Sequence, residues 1–228
     1  MSTLIPYFSL SGFGDSDKPE GVESYKESKL LADIREVISG LGYKSCVLVS
    51  HDFGGANAWA FASHFPDMVD KLIVMNAPSQ KSYEIVLKKK SWVPMCFFHL
   101  PFLPELNFQL SQFDVFNKIA DSFSHKMSED ELNAYKYTFS QPGALTPPHN
   151  WYRAKLDGQL TYEMDYQMPV LLMWGVKDTY LPIDLLTCME ELCPQMEVKR
   201  IAEGGHFVQG DTPSEVNQIM REWLAKTG

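Results

Sequence analysis

Cysteine is scarce in this sequence and carries no pairing pattern. Its four cysteines, Cys46, Cys96, Cys188 and Cys193, include no Cys-x-x-Cys, and no histidine is spaced to complete a zinc site. Reduced thiols in the cytoplasm are the default, and no metal or organic cofactor is implied. Long apolar runs are also lacking: none approaches the roughly 18 residues that a membrane-spanning helix needs. The opening MSTLIPYFSLSG has neither the basic region nor the apolar stretch of a signal peptide. Positive charge is in deficit, with a net charge of -9 and no basic stripe, which argues against a nucleic-acid partner. The one lysine run, Lys88 to Lys90, reads as a solvated helix face.

What the sequence does have is enough chain for one α/β core with an inserted subdomain: 228 residues, 45% of them hydrophobic. The chain divides into three parts. Residues 1–78 alternate strand and helix, starting with a strand near residue 4, the signature of a mostly parallel sheet covered by helices. A helix is expected over Lys29 to Ser39, where Leu30, Leu31, Ile34, Val37 and Ile38 form one stripe. Strands are expected at Cys46 to Val49, of the kind buried on both faces, and at Lys71 to Met75, with a helix over Asn57 to His64 between them. Residues 79–165 lose the strand pattern and read as an α-helical cap, with aromatics and prolines crowding SWVPMCFFHLPFLPELNF (91–108) and a helix N-terminus at SEDEL (128–132). The α/β pattern returns over 166–228: strands at Pro169 to Trp174 and Glu197 to Ile201, helices at Pro182 to Cys193 and Ser214 to Lys226.

The chemistry concentrates at Ser50-His51-Asp52-Phe53-Gly54. Small-x-nucleophile-x-small on a strand-to-helix turn is a nucleophile elbow: the strained turn forces its middle residue out above the sheet. At a helix N-terminus a carboxylate stays ionised, so Asp52 is placed to attack carbon directly. That attack leaves an ester, which needs a histidine base oriented by an acid, in the chain order nucleophile, acid, histidine. Asp178, in the loop after one C-terminal strand, and His206, in the Gly-Gly loop after the next, fill those places at the strand ends where ligands bind in open α/β sheets. His51 reads as shaping the elbow, and His64, His99, His125 and His149 as surface or packing residues.

Together GFGDSDKP (12–19), SHDFGG (50–55), NWYR (150–153), WGVKD (174–178) and GGHFVQGDTPSEVN (204–217) resemble the epoxide hydrolases of the α/β-hydrolase fold, over nearly the whole chain. The resemblance implies Asp52 as nucleophile, His206 as the base that activates water, Asp178 as its orienting partner, and Tyr152 as a cap phenol that protonates the epoxide oxygen. It also implies a small lipophilic epoxide as substrate, in a pocket formed by Phe53, Phe97, Phe98 and Trp151. Haloalkane dehalogenases share the Asp-His-acid logic but place a Trp directly after the nucleophile, where this chain has Phe53. A catalytically impaired fragment or an interaction module is the reading from another class. Two departures from the family stand out. No His-Gly-x-Pro segment precedes GFGDSDKP, so the first strands and the oxyanion loop are expected to be missing from an N-terminally truncated chain, with the Phe53 N–H left as the main oxyanion donor; a longer product, with a possible membrane anchor, is the corollary. The segment 91–105 contains no tyrosine, where the family usually supplies a second cap phenol.

Overall fold

The computed structural model describes residues 6–87, 97–121, 123, 127–154 and 163–227. Four strands, β1 (Cys46–His51), β2 (Val69–Met75), β3 (Val170–Gly175) and β4 (Glu197–Ile201), form one parallel sheet in that order. Helix α1 (Glu27–Gly40) leads into β1, and α2 (Asp52–His64) crosses from β1 to β2. Between β2 and β3 every described element is helical: α3 (Gln80–Leu87), α4 (Leu103–Leu110), α5 (Val115–Asp121), α6 (Glu129–Ser140) and α7 (Thr146–Ala154). The chain then closes through α8 (Asp184–Leu192), β4, a short α9 (Val208–Asp211) and α10 (Pro213–Lys226). Ser128 starts α6 with a complete capping box, its hydroxyl accepting from the Glu131 N–H while Glu131 reaches back to the Ser128 N–H.

Successive strand side chains point to opposite faces, and β2 and β3 divide between two cores accordingly. Leu72, Val74, Leu172 and Trp174 face α1, α2 and α8, among Ile34, Trp59, Phe61 and Met189. Ile73, Met75, Leu171 and Met173 face α10, against Val216 and Trp223. All six residues of β3 are buried, which explains its unbroken apolar run.

The structure corrects three sequence expectations. β1 is not buried on both faces: it lies at the edge of the sheet, and Val47 and Val49 are 40% and 42% exposed. The reason is that the core under α10 includes side chains of β2, β3 and β4 but none of β1. No strand is found near the start among the described residues: residues 6–10 are irregular with Tyr7 solvent-exposed, and a 3₁₀ turn covers Val22–Tyr25. Helix α2 is longer than the expected Asn57 to His64 stretch: it runs from the elbow itself, Asp52, and takes in glycines that serve helix–strand contact. A Cβ on Gly55 would fall 2.4 Å from the Cβ of Ala77, so glycine lets α2 lie directly on the end of β2. Lys88 to Lys90 and Cys96 fall outside the described residues; Cys46, Cys188 and Cys193 form no disulfide. No helix among the described residues is long and apolar enough to cross a membrane.

Candidate active site

Strand β1 ends in extended backbone at His51, and the next residue, Asp52, takes a left-handed conformation with φ 48° as α2 begins. A non-glycine residue held there is strained, and here the strain turns the carboxylate out of the sheet. The Asp52 side chain is 40% exposed and lies 3.4 Å from His206 Nε2. Its carboxylate also accepts the backbone N–H of Phe53. On the other side of the imidazole, His206 Nδ1 meets Asp178 Oδ2 at 2.8 Å.

The two carboxylates live in different surroundings. Asp178 is 1% exposed and fully engaged: Oδ2 also accepts from Asn76 Nδ2 at 2.7 Å, and Oδ1 accepts the backbone N–H groups of Tyr180 and Leu181 at 2.8 and 2.9 Å. Asp52 keeps open access. Burial pushes both carboxyls up, but the His206 hydrogen bond and its charge outweigh this, so both end below the usual carboxylate range. Burial disfavours the charged form of His206, yet the hydrogen bonds and charges of Asp178 and Asp52 prevail and raise it to about 9. All three shifts favour the charged forms, an aspartate–imidazolium–aspartate array. Such an array can present one ionised, accessible carboxylate to an electrophilic carbon while storing a proton beside it.

Three contacts hold the loop that carries His206. Gly205 N–H donates to Asp211 Oδ2 at 2.7 Å, Lys177 N–H to the Gly204 carbonyl at 2.9 Å, and His51 Nε2 lies 2.8 Å from the His206 carbonyl. The loop passes so near β3 that a Cβ on Gly175 would sit 2.1 Å from the Gly205 carbonyl oxygen. Phe207 packs on His206 and His51 and stacks on Phe123, ring centroids 4.4 Å apart.

Tyr152 comes from α7, opposite the elbow. Its ring stands edge-on to Phe53, centroids 5.0 Å apart, and stacks on Phe98 at 5.1 Å, with Phe97 behind at 5.8 Å. Burial, then the Asp52 charge, push its hydroxyl well above the ordinary phenol range, which favours the neutral form. α7 is pinned to α4 by Arg153, whose Nη1 and Nη2 donate to Glu105 at 2.8 and 2.9 Å. Trp151 is buried behind Phe53, with Nε1 donating to the Ser11 carbonyl at 3.1 Å. His149 is a buried packing residue whose Nδ1 meets the Leu145 carbonyl.

The sequence reading missed Asn76 and Tyr83. Asn76 follows β2 in a left-handed conformation, its Oδ1 accepting the Gly175 N–H at 2.9 Å while its Nδ2 braces Asp178; an asparagine directly after an apolar strand was the available signal. Tyr83, on α3, is pushed upward in pKa by burial, then by Tyr152 and Asp52, which puts a second phenol in electrostatic reach of the elbow. Among the described residues no cluster of three or more His, Cys, Asp or Glu side chains forms a candidate metal site.

Comparison with known proteins bears on this geometry. Residues 7–213 match the family described as the alpha/beta hydrolase fold. The chain belongs to the α/β-hydrolase family. Within it, the chain is 39% identical to epoxide hydrolase 3 of Xenopus tropicalis over 94% of its own length, and covers 62% of that relative. It thus spans less than two thirds of the frog protein. It is 34% identical to the AB hydrolase superfamily protein YfhM of Bacillus subtilis, covering 93% of itself and 77% of YfhM. Among solved structures it resembles a point mutant of an epoxide hydrolase from Bacillus megaterium, complexed with its product (R)-3-[1]naphthyloxy-propane-1,2-diol. That likeness has a TM-score of 0.79 at 31% identity, over 95% of this chain and 82% of the other.

Proposed function

We propose that this α/β hydrolase opens a lipophilic epoxide to a vicinal diol through an ester on Asp52, with residues 79–165 acting as a cap over the site. The observation that carries this reading is one imidazole, His206, held between a buried, fully bonded Asp178 and an accessible Asp52 on a strained elbow. In the first step an Asp52 oxygen attacks an epoxide carbon. The ring C–O bond breaks, its electron pair goes to the epoxide oxygen, and Tyr152 gives that oxygen its proton. Asp52 is then a neutral ester. His206 loses one of the two carboxylates that hold its proton, so its pKa falls, and it passes the proton to the Tyr152 phenolate.

The second step uses the imidazole so freed. His206 takes a proton from water as the water oxygen bonds to the Asp52 ester carbon. The oxyanion is placed to receive the Phe53 N–H. Collapse breaks the bond to the diol oxygen, which takes the proton from the Asp52 carboxyl. The aspartate–imidazolium pair is restored, and the net change is epoxide plus water to diol. The product named for the Bacillus megaterium structure, an aryl ether of a vicinal diol, supports an aromatic epoxide as the probe. The aromatic group of Phe53, Phe98 and Phe97 around Tyr152 suits such a substrate.

A halide-releasing reaction has less support. Phe53 offers no ring N–H beside Asp52, and the indole N–H of Trp151 is already engaged by Ser11.

The deciding experiment is intact mass after exposure to an aryl glycidyl ether. A hydroxyalkyl adduct on the wild-type chain, absent from Asp52→Ala and long-lived in His206→Gln, is expected. A folded wild-type chain that neither forms adduct nor releases diol would sink the proposal and favour a non-catalytic module.

A further inference from the structure

We propose that His51 is a positioning residue for the second half of the reaction: its side chain ties the loop that carries the base to the strand that carries the nucleophile. This rests on the reading above of Asp52 as nucleophile and His206 as base. His51 Nε2 lies 2.8 Å from the backbone carbonyl oxygen of His206, 155 residues away in sequence. A carbonyl oxygen only accepts, so the imidazole proton is on Nε2 and the bond runs from His51 to His206. The ring packs 5.1 Å from the His206 ring and 5.6 Å from that of Phe207, which leaves it little freedom to turn away. Burial favours its neutral form, which is all that one donated hydrogen bond requires.

The tie has a specific mechanical meaning. Asp178 fixes the His206 ring through Nδ1. Asp211 fixes the loop one residue earlier, through the Gly205 N–H. Neither of these contacts belongs to the elbow. His51 is joined to Asp52 by a single peptide bond, so its hydrogen bond sets where the base hangs relative to the nucleophile. The two chemical steps depend on this differently. Ring opening needs Asp52 and a phenol, both present without the tie. Hydrolysis needs His206 Nε2 to hold a water in line with the Asp52 ester carbon, and small errors there are costly.

The experiment follows one turnover of an aryl glycidyl ether by intact mass, timing ester formation and ester decay separately in wild type, His51→Phe and His51→Gln. Phe keeps a planar ring without a donor; Gln keeps an N–H of similar reach. The expected result for His51→Phe is ester formation within about twofold of wild type and decay slowed about tenfold, with His51→Gln recovering most of the decay rate. Proportional loss of both steps, or no change in either, would overturn the proposal by showing a general packing role or none. Should His51→Phe fail to fold, ¹⁵N-resolved NMR of the wild-type histidines settles the tie: a slowly exchanging Nε2 proton on His51 supports it, and an Nδ1-protonated or rapidly exchanging ring overturns it. A wild-type chain that forms no ester at all fails the underlying reading instead, while the NMR result still reports on the tie.

Discussion

Asn76 and His206 grip the same atom: Asp178 Oδ2 accepts from Asn76 Nδ2 at 2.7 Å and from His206 Nδ1 at 2.8 Å. The carboxylate that holds the His206 ring is itself held, by a residue at the end of a neighbouring strand. Asn76 also receives the buried Gly175 N–H on its own carbonyl oxygen, so one side chain joins the ends of β2 and β3.

Asn76→Ala is therefore expected to do two things. It leaves the Gly175 N–H buried without its partner, at a cost of about 1–3 kcal/mol, and it frees Asp178 to rotate. Thermal melts should show the destabilisation, and the decay of the Asp52 ester should slow while its formation changes little. Unchanged melting would show that water replaces the lost bond.

The pH dependence of stability follows from His206. Its pKa is about 9 in the folded chain against 6.5 for an ordinary imidazole. The folded state therefore holds this proton more tightly, and the stabilisation is complete below about pH 6.5 and disappears as pH rises through 9. Melting temperature should fall across that interval in wild type and stay flatter in His206→Gln. In Asp52→Asn the fall should be smaller and end at lower pH, because one carboxylate that holds the proton is gone. On the acid side Asp52 and Asp178, both depressed, stabilise the fold above the ordinary carboxyl range and lose that effect as pH drops through their folded values.

Gly175→Ala tests the clearance under the base. The new Cβ would meet the Gly205 and Gly204 carbonyl oxygens at 2.1 and 2.6 Å, and backbone atoms yield less readily than a flexible side chain. A loss of about 1–3 kcal/mol is expected, with impaired ester hydrolysis as the His206 loop is displaced. A melting curve like that of wild type would contradict the close approach.

The edge strand offers a separate prediction. Val47 and Val49 stand 40% and 42% exposed on β1, an apolar stripe on the outer strand of the described sheet. Val47→Lys with Val49→Lys should leave the melting temperature nearly unchanged and slow aggregation measured by light scattering. A drop typical of a core substitution would mean that this face is covered in solution.

The sequence made part of this site readable because its signals are local. Asp52 and Asp178 each follow a short apolar strand, and all three, His206 included, lie beside glycine or turn residues, so their placement at strand ends needed no knowledge of neighbours. Other features depend on what lies alongside. The contact that requires glycine in the first turn of α2 shows only once Ala77 is seen against Gly55. Asn76 acquires its role only once β2 and β3 align to bring it beside Gly175. The burial of β1 is set by which strands α10 covers, and no residue within β1 encodes that.

The fully buried β3 carries a consequence for how this chain can vary. Its first five residues feed two cores in strict alternation, and Leu171, Leu172 and Met173 are matched one to one with Ile73, Val74 and Met75. A single inserted or deleted residue between 170 and 175 would exchange the two sets and turn Trp174 toward α10. It would also move Gly175 away from Asn76 and Asp178 away from His206. Length changes in homologous chains should then gather in the connections outside 170–178, leaving this stretch as the fixed measure against which the rest of the polypeptide is cut.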